Sequence, residues 1–195
     1  MRILKKLVTI ISGKEKIEFE WKDDAHNDRG IYTHPDGSRF DGQYKEGLFH
    51  GKGSFKWPDE SKYEGNWKNG LPSGRGAMVL PDGSRYEGEW KDGFIEGMGT
   101  LILPNGSKYS GQWKSGSKSG KGISTLPDGK KYEGEWMNDM FHGKGVLTFP
   151  DCSKYEGQWK EDKFFGKGFL TLPDGSKHEG EWIGNKFKFI FKKPS

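Results

Sequence analysis

Cysteine and long hydrophobic runs are nearly missing from this sequence. Cys152 is the one cysteine among 195 residues, which excludes a disulfide framework and a metal site built from several thiolates. Only 31% of the residues are hydrophobic, and no apolar run approaches the roughly 18 to 20 residues that a membrane-spanning helix needs. The apolar segment from Leu7 to Ile11 is short for a secretory signal, and no small-residue cleavage site follows it. We therefore expect an intracellular, cytoplasmic protein.

Low hydrophobic content can also indicate disorder, but the aromatic and glycine content argues against it here. Aromatic residues make up 14% of the chain, with 8 Trp among them, and 31 residues are Gly. Disordered chains are depleted in aromatic residues. Gly, Pro and aromatic residues together are typical of many short strands joined by tight turns. The composition therefore predicts an all-β fold.

The net charge of +4 is concentrated at the two ends of the chain. Residues 1–16 carry +4 and residues 183–195 carry another +4, which leaves −4 for residues 17–182. Proteins that bind nucleic acids usually present a basic stripe along the binding face. The slightly acidic central segment therefore argues against nucleic acid as a partner.

A repeat of 23 residues organises most of the sequence. In each unit the third residue is Gly and the fifth is aromatic. The complete units are 40–62, 63–85, 86–108, 109–131, 132–154 and 155–177. Degenerate units at 17–39 and 178–191 extend the array to residues 17–191, which leaves a basic segment at 1–16 and a tail at 192–195.

Each unit predicts two antiparallel strands. One kind of strand, such as 131–137, places Tyr132, Gly134 and Trp136 on one face and charged residues on the other. The strand that pairs with it is of a second kind, represented by 145–149. The Pro-Asp-Gly-Ser segments between strands predict tight turns, because Pro fixes φ and Gly accepts a left-handed conformation. We expect the Gly-Lys-Gly segments to form the other turns, since they lack the spacing of a phosphate-binding loop.

Single hairpins of this size are not stable alone, so we expect consecutive hairpins to stack into an elongated single-layer antiparallel β-hairpin repeat array. Gly134 is expected to leave room for a ring from an adjacent strand. Cys152 and Glu60 stand where other units have the turn Gly. We therefore predict a left-handed backbone conformation at both positions.

Three segments carry a resemblance to a known family: Tyr-Glu-Gly-Glu-Trp-Lys-Asp-Gly at 86–93, Tyr-Glu-Gly-Gln-Trp-Lys at 155–160 and His-Gly-Lys-Gly at 142–145. They resemble MORN repeats (membrane occupation and recognition nexus), and the resemblance covers about 40–182. It implies a grooved β-array that binds proteins or associates with itself, and some similar proteins have been linked to phosphoinositide-rich membranes. The residues outside the array are too few to fold into a catalytic domain.

The aromatic rows of the array have two interpretations. The rings either fill the interior of the array or line a groove that binds a helix or peptide of a partner. A single layer cannot bury both faces, so we expect some rings to remain accessible. Our candidate partner-binding residues, all in the central units, are Tyr86, Trp90, Tyr109, Trp113, Tyr132 and Trp136.

The two ends of the chain suggest a second role. Residues 1–12 have the pattern of a short basic amphipathic helix, which either caps the first hairpin or lies on an anionic membrane. At the other end, Phe187 and Phe189 alternate with lysines after Gly184 and Asn185, which predicts a tight turn and a last strand. The candidate contacts with anionic lipid are Arg2, Lys5, Lys6, Lys186, Lys188, Lys192 and Lys193.

No constellation of residues indicates catalysis. His50 and His142 occupy the same repeat position four units apart, so they cannot share a metal ion. Recurrent glutamates flanked by Lys or Arg, such as Glu133, predict a solvated cross-strand charge ladder. We therefore predict a scaffold with no enzymatic activity, metal or cofactor, which binds another protein or its own copies. Peripheral attachment to anionic membranes is the alternative.

Overall fold

The computed structural model describes residues 29–188, which form two compact units that divide between Pro104 and Asn105. The strands of the first unit are β1 (Arg29–Thr33), β2 (Arg39–Lys45), β3 (Leu48–Lys56), β4 (Lys62–Lys68), β5 (Leu71–Val79), β6 (Arg85–Lys91) and β7 (Phe94–Ile102). Those of the second are β8 (Lys108–Lys114), β9 (Ser117–Thr125), β10 (Lys131–Met137), β11 (Met140–Thr148), β12 (Lys154–Lys160), β13 (Lys163–Thr171), β14 (Lys177–Ile183) and β15 (Lys186–Lys188). Within each unit, consecutive strands pair antiparallel. The predicted all-β hairpin array is confirmed.

The Pro-Asp-Gly-Ser segments form the tight turns that the sequence predicts. In the turn after β11, the Cys152 N–H donates to the Phe149 carbonyl at 3.0 Å, and the Ser153 N–H donates to the Asp151 carboxylate at 2.9 Å. Hydrogen bonds from the side chain and backbone of Ser153 hold the pKa of Asp151 below its ordinary value. Cys152 and Glu60 have φ of 67° and 69°, so the predicted left-handed conformation is confirmed at both.

The turns between the two strands of a hairpin lie at other residues than the predicted Gly-Lys-Gly segments. β10 and β11 are joined by Asn138 and Asp139, whose φ of 51° and 70° are typical of a two-residue type I′ turn. Gly184–Asn185 forms a turn of the same length, as predicted. The prediction that Gly-Lys-Gly segments are turns is wrong, because residues 143–145 lie inside β11, which begins at Met140 rather than at Gly145.

The Gly-Lys-Gly segment of β11 is a β-bulge. Gly134 pairs with Gly145, but the next residue, Glu135, pairs with His142, so that two residues of β11 are left over. The Glu135 carboxylate accepts a hydrogen bond from the Lys144 N–H at 3.2 Å. Gly143 has φ of 57°, and a Cβ there would lie 2.7 Å from the Glu135 carboxyl carbon. The glycine pattern therefore encodes a bend with added twist inside a strand, and not its end.

Interlocking aromatic rings form the core on one face of each unit. In the second unit, the Tyr132 ring stacks on Phe141 with centroids 3.7 Å apart. Its edges meet Trp136 at 5.3 Å and Trp159 of the next hairpin at 5.2 Å, both nearly perpendicular. Edge-to-face pairs of this kind contribute roughly 0.5–1.5 kcal/mol each beyond the area they bury. The core is therefore continuous from one hairpin to the next within the unit.

The ring that packs over Gly134 is not the one that the sequence predicted. The ring above it belongs to Tyr132 on the same strand, and not to an adjacent strand. A Cβ on Gly134 would lie 2.6 Å from the Tyr132 hydroxyl oxygen and 2.5 Å from the Gly145 Cα across the ladder. The ring reaches this place because its hydroxyl donates to the Glu135 carbonyl at 2.8 Å. Tyr63 in the first unit makes the equivalent bond, so the arrangement recurs.

Indole hydrogen bonds of Trp67, Trp90, Trp136 and Trp159 join their hairpins to the preceding ones. The Trp136 indole N–H donates to the Gly122 carbonyl at 3.2 Å, and that of Trp159 donates to the Gly145 carbonyl at 3.1 Å. Burial of the tyrosines in this core disfavours the phenolate and raises the pKa of Tyr155 to about 12. The repeat therefore stabilises itself through contacts between successive units.

Candidate functional site

All six rings predicted to bind a partner lie in the interior of their units. Tyr86 and Trp90 belong to the first unit, and Tyr109, Trp113, Tyr132 and Trp136 belong to the second. None of them is more than 5% exposed. Their position matches the self-packing interpretation, and their contact with a partner stays a prediction.

The accessible concave surface of the first unit lies on the opposite, charged face. This first-unit groove has a volume of about 850 Å³, and its lining includes Arg75, Val79, Met98 and Ile102. Val79, Met98 and Ile102 are 37%, 53% and 42% exposed, respectively. Aliphatic side chains that the array cannot bury on its aromatic face therefore form an open patch in the groove.

One ion pair borders this patch and a second lies within it, because Arg85 pairs directly with both Val79 and Ile102. Lys62 contacts Glu64 at 3.0 Å, and Arg85 contacts Glu87 at 3.1 Å. Both pairs join residues on the same strand, so the predicted cross-strand ladder is wrong in its pairing. Since these side chains are largely exposed, the pairs contribute little to stability and leave the groove wall polar.

Met98 interrupts a row of cations in the sequence repeat. The residue at its position, between the two glycines of the bulge, is a cation in the other complete units: Lys52, Arg75, Lys121, Lys144 and Lys167. Met98 therefore replaces a charge with an apolar side chain in the first-unit groove. Sequence reasoning missed this residue, although aligning the units would have shown it.

The second unit has a smaller depression on the equivalent face. This second-unit groove has a volume of about 450 Å³, and Lys144, Val146, Lys167 and Phe169 are among its lining residues. Phe169 is 45% exposed. Both grooves thus combine cations with apolar side chains, since Lys62, Arg75 and Arg85 line the first groove together with Met98.

A family model for the MORN repeat matches seven segments of the chain, at residues 20–39, 40–62, 63–85, 86–108, 109–131, 132–151 and 155–177. The chain belongs to the MORN repeat family. No curated protein matches the chain.

Solved structures similar to the MORN array include TCP domains of SAS-4 and CPAP. The TCP domain of Drosophila melanogaster SAS-4 (dCPAP), in complex with a proline-rich motif of Ana2 (dSTIL), is 13% identical with a TM-score of 0.49, covering 85% of this chain and 96% of that one. The TCP10c domain of Drosophila melanogaster Sas-4 is 14% identical with a TM-score of 0.45, covering 78% and 91%. The TCP10 domain of Danio rerio CPAP is 13% identical with a TM-score of 0.33, covering 85% and 83%. Similarity at this level carries no functional argument.

Lys118 is the most unusual residue of the MORN core. It occupies the repeat position at which Phe141 packs, and its ammonium lies 5.1 Å from the Tyr109 ring centroid and 5.0 Å from that of Trp136. Burial lowers the pKa of Lys118, and the carboxylate of Asp139 acts in the opposite direction. Its backbone N–H also donates to Asp139 at 3.0 Å. Lys118 therefore fills an aromatic position through cation–π contacts.

The histidines and the cysteine do not assemble into a site within residues 29–188. His50 and His142 belong to different units, and the Nδ1 atom of each is buried without a hydrogen-bond partner. Cys152 is exposed at its turn. Across these residues, no group of three or more His, Cys, Asp or Glu is placed to hold a metal ion.

Most of the residues predicted to contact anionic lipid lie outside the described part of the chain. The structure describes neither the helix predicted at residues 1–12 nor Arg2, Lys5, Lys6, Lys192 and Lys193. Lys186 is exposed in β15, and Lys188 ends that strand. Residues 29–188 contain no helix of the length and hydropathy needed to cross a membrane. Membrane attachment stays a prediction.

Proposed function

We propose that this MORN array is a non-catalytic scaffold that binds a segment of a protein partner in the first-unit groove. The observation that carries the proposal is the aliphatic surface of Val79, Met98 and Ile102, which remains exposed in the groove on both sides of the Arg85–Glu87 ion pair. A protein-binding role is also what the family resemblance implies.

The energetics of the patch favour an apolar side chain of a partner. Covering exposed aliphatic surface contributes about 25 cal/mol per Å², and fully burying a side chain of this size contributes about 1.5–3 kcal/mol. Part of this gain is lost to the ordering of the partner. A groove of about 850 Å³ is large enough for several side chains of a helix or an extended peptide. The aromatic core would then serve as the rigid support of the groove.

Met98→Lys is the sharpest test, because lysine is the residue that most other units carry at this position. The variant should fold normally while replacing an apolar side chain of the patch with a charge. A matched control is Ile183→Lys, since Ile183 is 59% exposed in the second unit and most other units have lysine at its position too.

The experiment selects peptides from a random display library on the immobilised full chain and measures their affinities by fluorescence anisotropy. We expect Met98→Lys to weaken binding at least about tenfold, equivalent to about 1.4 kcal/mol, and Ile183→Lys to leave it unchanged. Failure to select any binding peptide, or equal effects of the two substitutions, would overturn the proposal. Sedimentation of the free chain at the same concentrations separates self-association from peptide binding.

A further inference from the structure

A row of cations runs along the charged face of the second unit, with one cation for each repeat, and two of its members line the second-unit groove. Lys121, Lys144 and Lys167 occupy the bulges of β9, β11 and β13, and all three side chains are exposed. None of the three forms an ion pair with another residue of the part that the structure describes. The sum of charges over the sequence hides this row, because acidic residues lie in the turns and in the strands between those that carry the row, such as Glu156 in β12.

Among the described residues, the carboxylates near the row form no ion pair with its lysines, and one of them, the exposed Glu156, lines the depression opposite Val146 and Phe169. Glu135 accepts a hydrogen bond from the backbone N–H of Lys144 at 3.2 Å, and Glu133 contacts Lys131 at 3.4 Å. The neutral Gln158 lies opposite Lys144 across the ladder. Glu181 lies opposite Lys167 across the ladder, so an acidic side chain lies beside this lysine. The ammonium groups of the row are thus solvated and free to meet charges of a partner.

Apolar side chains form a second row beside the lysines. Ile123, Val146 and Phe169 each follow a lysine of the row by two residues and therefore lie on the same face of the sheet. Ile123 and Phe169 are 39% and 45% exposed. Lys144, Val146, Lys167 and Phe169 line one depression, so a ligand in it would meet both chemistries at once.

We propose that the second-unit groove selects an acidic protein segment, in which a carboxylate recurs beside an apolar side chain. Equivalent residues in alternate strands lie about 9.6 Å apart, since neighbouring strands are about 4.8 Å apart. One heptad of an α-helix rises about 10.5 Å, which nearly matches this interval. The inference rests on the proposed function, because it assigns a partner chemistry to the same face of the array.

The test uses three synthetic helical peptides of three heptads each. All present Leu on one face, and they differ only in carrying Glu, Gln or Lys at the adjacent position of every heptad. Fluorescence anisotropy with the full chain should show that the Glu peptide binds at least about tenfold more tightly than the Gln peptide. The Lys peptide should bind more weakly still. The ratio of Glu to Gln affinities should fall as salt rises, since exposed charges are screened.

Lys144→Gln with Lys167→Gln should weaken binding of the Glu peptide about tenfold and that of the Gln peptide less than about twofold. The matched control is Lys130→Gln with Lys160→Gln, which removes two positive charges from residues that do not line the depression. This control should change the affinity for the Glu peptide less than about twofold.

Three results would overturn the inference. The Glu and Gln peptides could bind equally, or the control pair could weaken binding as much as the groove pair. The groove substitutions could also leave the Glu peptide unaffected while abolishing binding to phosphatidylserine vesicles, which would assign the lysines to a membrane. Display-selected peptides that depend on Met98 would support the first-unit groove whatever the Glu and Gln peptides show, whereas the absence of any selected peptide would overturn the proposed function.

Discussion

Replacing Gly145 with alanine tests the central packing relation of the array. A Cβ at this position would lie 2.6 Å from Cζ and 2.7 Å from Cε2 of the Tyr132 ring. The ring cannot retreat, because Phe141 stacks on it at 3.7 Å and the edges of Trp136 and Trp159 enclose it. The added methyl group must therefore displace a fully buried ring.

The expected cost is about 3 kcal/mol. Overpacking a filled core costs about 1–3 kcal/mol. A shift of the ring also weakens the hydrogen bond from the Tyr132 hydroxyl to the Glu135 carbonyl, which contributes about 1 kcal/mol. Gly30→Ala is the matched control, because Gly30 occupies the same repeat position as Gly145 and, among residues 29–188, its Cβ would meet only Tyr44, at 3.6 Å. We expect the control to change stability by less than about 0.5 kcal/mol.

Urea unfolding followed by tryptophan fluorescence measures both variants. A double-mutant cycle with Tyr132→Ala identifies the cause, since Gly145→Ala should cost little once the ring is gone, giving a coupling of about 2 kcal/mol. Equal stability of Gly145→Ala and Gly30→Ala, or additive effects in the cycle, would refute the packing argument.

Three further predictions concern stability. Cys152→Gly should raise the free energy of unfolding by about 1 kcal/mol, because it relieves a left-handed cysteine with φ of 67°; a lower melting temperature under reducing conditions would contradict this. Burial raises the pKa of Tyr155 from 10.0 to about 12, so its contribution to stability is present below pH 10 and should be lost as pH rises from about 10 to 12. Urea midpoints across this interval check the effect, and midpoints that rise would contradict it. Lys118→Phe should stabilise the second unit by about 1 kcal/mol, since it restores the aromatic residue of the repeat between Tyr109 and Trp136; a lower urea midpoint would show that the cation–π contacts outweigh the added ring.

Local chemistry explains why much of the fold could be predicted. The Pro-Asp-Gly-Ser turns depend on φ preferences and short-range hydrogen bonds, so their position and the left-handed Cys152 follow from sequence. Alternation along 131–137 fixed which residues share the aromatic face. The bulge at Gly143 could not be distinguished from a turn, because both require a glycine with positive φ. Asn138 and Asp139 carried the signal that the turn lies there, since both residue types tolerate the positive φ that a two-residue type I′ turn requires.

The position of the accessible groove depended on contacts between different hairpins. Trp136 is buried because it reaches the hairpin before it and packs against rings of two hairpins, a contact that no single unit contains. That packing turned the aromatic rows inward and left the charged face as the accessible groove. The sequence by itself determined the repeat, the family and the alternation of faces, because these depend on composition and spacing. Only the tertiary structure decided which face remains open, since that depends on how neighbouring hairpins bury each other's rings.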